Sequence, residues 1–141
     1  MEVPKRIVLD TTALVNHLRA KGPPSTVTRL EGKAELATTI VNLFELFHGA
    51  YKYKDVKLNL AAVKGLQSTL RILQLTVGAT EHGAKILADL QRSGVTVEMR
   101  DLLVGAIALE EGFAVVTENV EHFSHIPGLL LLSERELSSM L

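Results

Sequence analysis

The chain contains no cysteine and no tryptophan, and only two tyrosines and four phenylalanines among its 141 residues. The absence of cysteine excludes disulfide bonds, thiolate catalysis and cysteine-ligated zinc, and it agrees with an intracellular location. The scarcity of aromatic rings argues against an extensive platform on which nucleic acid bases would stack. Any catalytic or binding site must therefore be built from side chains other than cysteine and an array of aromatic rings.

Long apolar runs and a large net charge are also missing. No apolar stretch approaches the roughly 20 residues that a helix needs to cross a bilayer, and no signal-peptide core follows the charged start at residues 1–6. We therefore expect a soluble, cytoplasmic protein with one domain over residues 1–141. The formal net charge is −1, so a polyanion would have to be held by a local basic patch or through bound metal.

Strand-like and helix-like segments alternate along the chain. Short apolar runs predict strands at residues 7–9, 34–38, 71–75, 113–117 and 129–132. Amphipathic segments predict helices at residues 11–20, 25–31, 39–50, 55–70, 80–94 and 101–111. Thr80 is the predicted N-cap of the 80–94 helix. A capping box formed by Ser133 and Glu136 predicts a last helix after residue 133. In the 55–70 helix, Leu58, Ala61, Ala62 and Leu66 form a predicted apolar stripe. Continuous apolar strands between helices predict a three-layer α/β/α domain with a central parallel sheet.

Three acids stand alone in apolar surroundings: Asp10 directly after the first strand, Glu45 and Asp101. Burying a carboxylate is unfavourable without a partner. Since no Lys or Arg is evidently matched to these acids, a divalent cation such as magnesium is the partner that best explains them. Taken singly, each acid has a simpler interpretation, because Asp10 and Asp101 could cap helices and Glu45 could lie on a solvated helix face.

Four short motifs follow one another in the chain: Asp10-Thr11-Thr12 after a strand, NLFELFHG at residues 42–49, RDLLVGAIA at 100–108 and VVTENVEHF at 115–123. In this order they resemble the PIN-domain family, particularly the VapC-type toxin ribonucleases, and the similarity extends from Ile7 to about Leu132. The resemblance implies an α/β/α fold, a magnesium or manganese site, and an endoribonuclease that hydrolyses RNA. It also implies that the chain is a toxin, commonly a homodimer, whose activity is restrained by an antitoxin protein.

The resemblance assigns roles to particular residues. Asp10, Glu45 and Asp101 fall on three family acids that hold the metal and serve catalysis, and Asn119 falls on a fourth position that is often Asp. Because asparagine is neutral, occupancy of a second metal stays open. Thr12 falls on a Ser or Thr position that can orient a carboxylate or a water by its hydroxyl. His122 could contact substrate, although packing beside Phe123 is the favoured interpretation.

Further residues surround the expected site. Arg19, Lys21, Lys52, Lys54 and Arg100 are candidates for contacts with phosphates at its mouth, or ordinary surface residues. Phe44 and Phe47 are expected in the core.

The sequence is also compatible with other functions. Asn119 would suit a catalytically degenerate PIN-like module that binds RNA or protein without cleaving. A phosphoacceptor receiver domain would have adjacent acids early in the chain, whereas Asp10 stands alone. A structure-specific DNA nuclease would carry more acids than this chain has. The nuclease interpretation requires that the three acids meet in one pocket and are not already neutralised by cationic side chains.

Overall fold

The computed structural model describes residues 2–141 and contains one five-stranded parallel sheet. The strands are β1 (Arg6–Leu9), β2 (Glu35–Thr39), β3 (Arg71–Leu73), β4 (Ala114–Val116) and β5 (Leu131–Leu132), in the order β3-β2-β1-β4-β5. The central strand β1 is fully buried at Ile7, Val8 and Leu9. An apolar run suits such a strand because both of its faces are covered.

Eight helices accompany these strands in the described part of the chain. They are α1 (Thr11–Arg19), α2 (Thr26–Leu30), α3 (Ile40–Lys52), α4 (Val56–Gln67), α5 (Val77–Arg92), α6 (Met99–Glu111), α7 (Val120–Phe123) and α8 (Glu134–Ser138). Leu9 faces one apolar core, with Leu14 of α1 and Leu43 of α3. Val8 faces the other, with Ile86 of α5 and Ile107 of α6. The predicted three-layer α/β/α architecture is confirmed.

The helix ends follow local capping chemistry. Thr39 and Asn42 form a capping box at the start of α3, and Ser133 and Glu136 form the predicted one at α8. Gly112 ends α6 with a φ of 74°, a backbone conformation that glycine adopts at little cost. The predicted cap at Thr80 is wrong: the hydroxyl of Thr76 caps α5 by accepting from the N–H of Ala79 at 3.0 Å.

Two predictions of burial are also wrong. Of the stripe predicted in α4, only Leu66 is buried, whereas Leu58 is 70% exposed and Ala61 and Ala62 are exposed. The helix packs on α3 through Val63 and Leu66 instead. Phe44 is 73% exposed, since the buried face of α3 carries Leu43 and Leu46. Both helices therefore present apolar side chains to solvent.

Within residues 2–141, no helix has the length and apolar character required to cross a membrane.

Candidate active site

The carboxyl ends of β1 and β4 form the crevice of this sheet. The chain proceeds from β1 to β2 and β3 on one side, whereas β4 and β5 lie on the other, so the order reverses between β1 and β4. In open α/β sheets this switch point is where ligands bind. Asp10 directly follows β1 and its N–H donates to the carbonyl of Val116 at 3.0 Å, while Thr117 directly follows β4.

Asp10 is buried, and both of its carboxylate oxygens accept hydrogen bonds. Oδ1 accepts from the N–H of Thr11 at 2.9 Å and from Nδ2 of Asn42 at 2.8 Å. Oδ2 accepts from the hydroxyl of Thr117 at 2.6 Å. Asp10 is therefore the N-cap of α1 and also part of the site, so the two interpretations of this residue are compatible.

Glu45 reaches the same place from the middle of α3. One of its oxygens, Oε1, accepts from the hydroxyl of Thr11 at 2.6 Å, which ties α3 to the start of α1. Its side chain is 35% exposed, so Glu45 lies at the solvent side of the crevice.

Asp101 lies in the first turn of α6 and is buried. It is the third residue of the helix, whereas the N-cap position is Glu98, so capping does not explain Asp101. Its Oδ1 accepts a hydrogen bond, but Oδ2 is buried and has no hydrogen-bond partner in the described structure. An unsatisfied buried carboxylate oxygen is costly, and it marks a position where a cation would be stabilised.

Arg100 joins the three acids. Its Nη2 donates to Asp10 Oδ1 at 2.5 Å and to Glu45 Oε1 at 2.6 Å. Its Nη1 donates to Asp101 Oδ1 at 2.8 Å. The expectation that the acids have no matching cation is therefore wrong, and Arg100 lies inside the site rather than at its mouth. The acids are therefore neutralised in part and not fully, because one guanidinium facing three carboxylates leaves a formal charge of −2.

These contacts shift two pKa values. Burial raises the pKa of Asp10, but the hydrogen bonds and charge of Arg100, with the hydroxyl of Thr117 and the N–H of Thr11, outweigh it and lower that pKa below its ordinary value. Burial opposes the charge of Arg100, yet its hydrogen bonds to Glu45 and Asp10 raise its pKa above the ordinary value. Both groups are therefore charged at neutral pH.

The other candidate residues lie at the edge of this cluster. Asn119 is exposed, and only its backbone contacts the cluster, since its N–H donates to Thr117 Oγ1 at 3.0 Å. Thr12 is exposed, and the adjacent Thr11 is the residue whose hydroxyl contacts Glu45. His122 is 57% exposed with Nδ1 at 3.6 Å from Asp101 Oδ2, so the expected packing against Phe123 does not describe it.

Three residues that position the acids were not among the predicted site residues: Thr11, Asn42 and Thr117. Asn42 donates to both Asp10 Oδ1 and Thr11 Oγ1, the latter at 3.0 Å. A signal for Thr117 was present, since it directly follows a strand next to β1 and parallel strands end at the same edge. The signal for Asn42 was its place one helical turn before Glu45.

The donor atoms suit a hard divalent cation, since all three acids offer carboxylate oxygens and Asp101 has one oxygen to spare. As the side chains stand, no three His, Cys, Asp or Glu residues within residues 2–141 are arranged around a common metal position. The guanidinium of Arg100 lies between the carboxylates and donates to each of them. For these carboxylates to hold a metal ion, the guanidinium of Arg100 would have to leave them.

Comparison with known proteins agrees with this geometry. The chain is 31% identical over 125 residues to the tRNA(fMet)-specific endonuclease VapC of Salmonella typhimurium, covering 88% of this chain and 94% of that protein. The crystal structure of DNA-bound VapBC from Salmonella typhimurium matches with a TM-score of 0.81 at 30% identity, covering 92% of this chain and 98% of that one.

A second solved structure, VapBC2 from Rickettsia felis bound to a DNA fragment from their promoter, matches with a TM-score of 0.80 at 26% identity, covering 90% and 97% of the two chains. A sequence profile described as PIN domain matches residues 7–129. That match spans the three acids and most of the chain, and the protein therefore belongs to the PIN domain family.

Proposed function

We propose that this chain is a magnesium- or manganese-dependent endoribonuclease that hydrolyses RNA phosphodiester bonds and serves as the toxin of a toxin–antitoxin pair. The observation that carries the proposal is the meeting of Asp10, Glu45 and Asp101, from three separate elements, at the switch point of a parallel sheet. The relatives support it, since one is named an endonuclease specific for a tRNA and others are VapBC complexes.

Asp10 and Asp101 would hold the metal ion, and Glu45 would complete its site. The bound ion would supply positive charge that neutralises phosphate and makes water a better nucleophile at neutral pH. The surrounding residues keep the acids in place: Thr117 and Asn42 hold the two oxygens of Asp10. The backbone N–H of Asn119 orients the hydroxyl of Thr117, so a neutral side chain at position 119 does not remove this support.

The substrate would reach the acids along a groove between α1, α3 and α4. Thr11 and Glu45 line this groove together with two basic residues, Arg19 and Lys54. These side chains are suited to bind phosphates on either side of the scissile bond. Single-stranded or looped RNA fits best, because its backbone is accessible to attack.

The test is an RNA cleavage assay with the purified chain, in magnesium and in excess chelator. We expect cleavage in magnesium, none in chelator, and nearly complete loss in the Asp10→Asn and Asp101→Asn variants. Asp89→Asn is the matched control, because Asp89 is an exposed carboxylate paired with Lys85 and Arg92 on α5. Circular dichroism would check that each variant is folded. Full activity in either site variant would contradict the proposal.

A catalytically degenerate binding module is not favoured. The three acids are all present and converge, and the relatives are named as nucleases. Such a module would bind RNA equally well in magnesium and in chelator and would leave it uncut, so the same assay separates the two functions.

The antitoxin would occupy the same groove. Apolar side chains that are partly or largely exposed line it, including Leu18, Tyr53 and Leu58, and they lead towards Glu45. An apolar surface of this kind is suited to an amphipathic segment of a partner protein. A VapBC relative from Mycobacterium tuberculosis is described as a member of a family of toxin–antitoxin systems, which supports a protein partner. We also propose a homodimer, for which the exposed Phe44 and Tyr51 of α3 offer apolar surface; light scattering in solution tests it.

A further inference from the structure

The guanidinium of Arg100 lies between the three carboxylates that would hold a metal ion. Its Nε donates to both oxygens of Glu45 at 3.1 Å, and its two terminal nitrogens contact Asp10 at 2.5 Å and Asp101 at 2.8 Å. A magnesium ion bound by the same oxygens would lie about 2.0–2.1 Å from them. The guanidinium and the ion therefore compete for one volume as well as for one set of negative charges.

The guanidinium is an incomplete substitute for such an ion. It satisfies Oδ1 of Asp101 but leaves Oδ2 buried and without a hydrogen bond in the described structure. It also leaves a formal charge of −2 among three carboxylates. A divalent cation in place of the guanidinium would reduce the residual formal charge from −2 to −1 and would give Oδ2 of Asp101 a partner, so bound metal favours the exchange.

The side chain of Arg100 is partly accessible to solvent. Its side chain is 24% exposed, and it extends from the first turn of α6, where the preceding residues Glu98 and Met99 are exposed. An arginine stem has four rotatable bonds, so the head group can turn to solvent while the backbone of α6 stays in place. Because arginine keeps its proton, it can leave the acids only by movement.

We propose that Arg100 is an exchangeable internal counterion: it holds Asp10, Glu45 and Asp101 together in the metal-free chain and is displaced when a divalent cation binds. The inference rests on the proposed function, because it takes the same three acids as the metal ligands. Arg100 is then a positioning residue before the metal arrives, and the affinity of the site for metal includes the cost of displacing it.

The first experiment measures binding of Mn²⁺ alone to the chelator-stripped, full-length chain by isothermal titration calorimetry. Arg100→Gln removes the competing charge and keeps a polar side chain, and we expect it to bind Mn²⁺ about tenfold more tightly or better, because one nearby positive charge is gone. Arg92→Gln is the matched control, since Arg92 is exposed and pairs with Asp89. It should bind Mn²⁺ as the wild type does.

A second experiment needs no folded Arg100→Gln variant. In the wild-type chain labelled with ¹⁵N, the Nε–H resonance of Arg100, assigned by its loss in Arg100→Lys, should be protected from solvent exchange without metal. Saturation with Mg²⁺ should remove that protection and move the resonance towards those of exposed arginines. Protection that persists at saturating Mg²⁺ would overturn the inference.

The outcomes separate the inference from the function on which it rests. If Asp10→Asn abolishes Mn²⁺ binding while Arg100→Gln leaves the affinity unchanged or weaker, competition by Arg100 is wrong and the metal site stands. If neither the wild type nor Arg100→Gln binds Mn²⁺, the metal site itself is wrong, and the inference falls with the metal-dependent mechanism.

Discussion

At the scale of single residues, the chemistry of this site depends on how firmly Asp10 is held. A carboxylate this deeply buried is tolerated only because each of its oxygens has a charged or polar donor. Thr117 is the donor to Oδ2, and its hydroxyl also accepts from the backbone of Asn119. One hydroxyl therefore connects the loop after β4 to the acid after β1.

We predict that Thr117→Val weakens both stability and cleavage. The change keeps the shape of the side chain but removes a donor to a buried charge, which should lower the free energy of unfolding by about 1–3 kcal/mol. Cleavage of RNA should fall by about tenfold or more, since supporting hydrogen bonds tune metal ligands. Urea denaturation and initial cleavage rates are the measurements.

Thr38→Val is the matched control for that change. Thr38 is also buried, although it lies within β2, and its hydroxyl donates to the backbone carbonyl of Leu9 at 2.8 Å instead of to an acid. The control should lose a similar amount of stability and keep its cleavage rate. Equal losses of activity in both variants would show that Thr117 acts through general stability alone.

The lowered pKa of Asp10 predicts how the metal-free chain responds to acid. In the unfolded chain this carboxyl titrates near its ordinary value of 3.8, and in the folded chain it titrates at lower pH. Its contribution to stability is therefore complete above the unfolded pKa and is lost as the pH falls through the folded pKa. Urea unfolding between pH 6 and pH 2 should show this fall, and Asp10→Asn should show a smaller one.

Single residues also show where the sequence was ambiguous. The three acids were predicted to meet because each stands alone in an apolar segment and because the order of the motifs resembles that of PIN domains, and they do meet around Arg100. The place of Arg100 could not be predicted, since arginine beside an acid at a helix start is equally typical of a solvated surface. Thr11 and Thr12 are neighbours in one motif, and only the turn of α1 decides which hydroxyl faces Glu45.

At the scale of elements, the cap of α5 gives a direct test of the structure. We predict that Thr76→Ala lowers the free energy of unfolding by about 1 kcal/mol, because the N–H of Ala79 loses its acceptor. Thr80→Ala should cost less, since the hydroxyl of Thr80 only donates to the carbonyl of Thr76, within a turn that is already formed. Urea denaturation of both variants measures the difference, and a larger effect at Thr80 would contradict the observed cap.

Elements differed in how well their sequence predicted them, for a physical reason. The central strand β1 is an apolar run covered on both faces, so the position of Ile7 to Leu9 follows from burial alone. The helix α4 packs on one side only, and its apolar residues lie on more than one face. Propensity identifies it as a helix, but only its contact with α3 decides that Val63 is buried and Leu58 exposed.

At the scale of the whole molecule, charge determines how RNA would approach. The net charge of −1 gives no general attraction to a polyanion, and the active site is itself negative. Attraction must then come from basic residues placed beside the acids. Lys54 lines the groove that contains Glu45. Lys33 precedes β2 and therefore lies at the opposite edge of the parallel sheet.

We predict that Lys54→Gln weakens RNA binding and that Lys33→Gln does not, although both variants lose the same unit of charge. Binding would be measured in the Asp10→Asn background, so that the probe stays intact, by the anisotropy of a fluorescent single-stranded RNA over a range of salt concentrations. The slope of log affinity against log salt should decrease by about 0.7 for Lys54→Gln, as expected for one lost phosphate contact. Identical slopes in the two variants would mean that RNA does not follow the groove, because only a local contact distinguishes two lysines of equal charge.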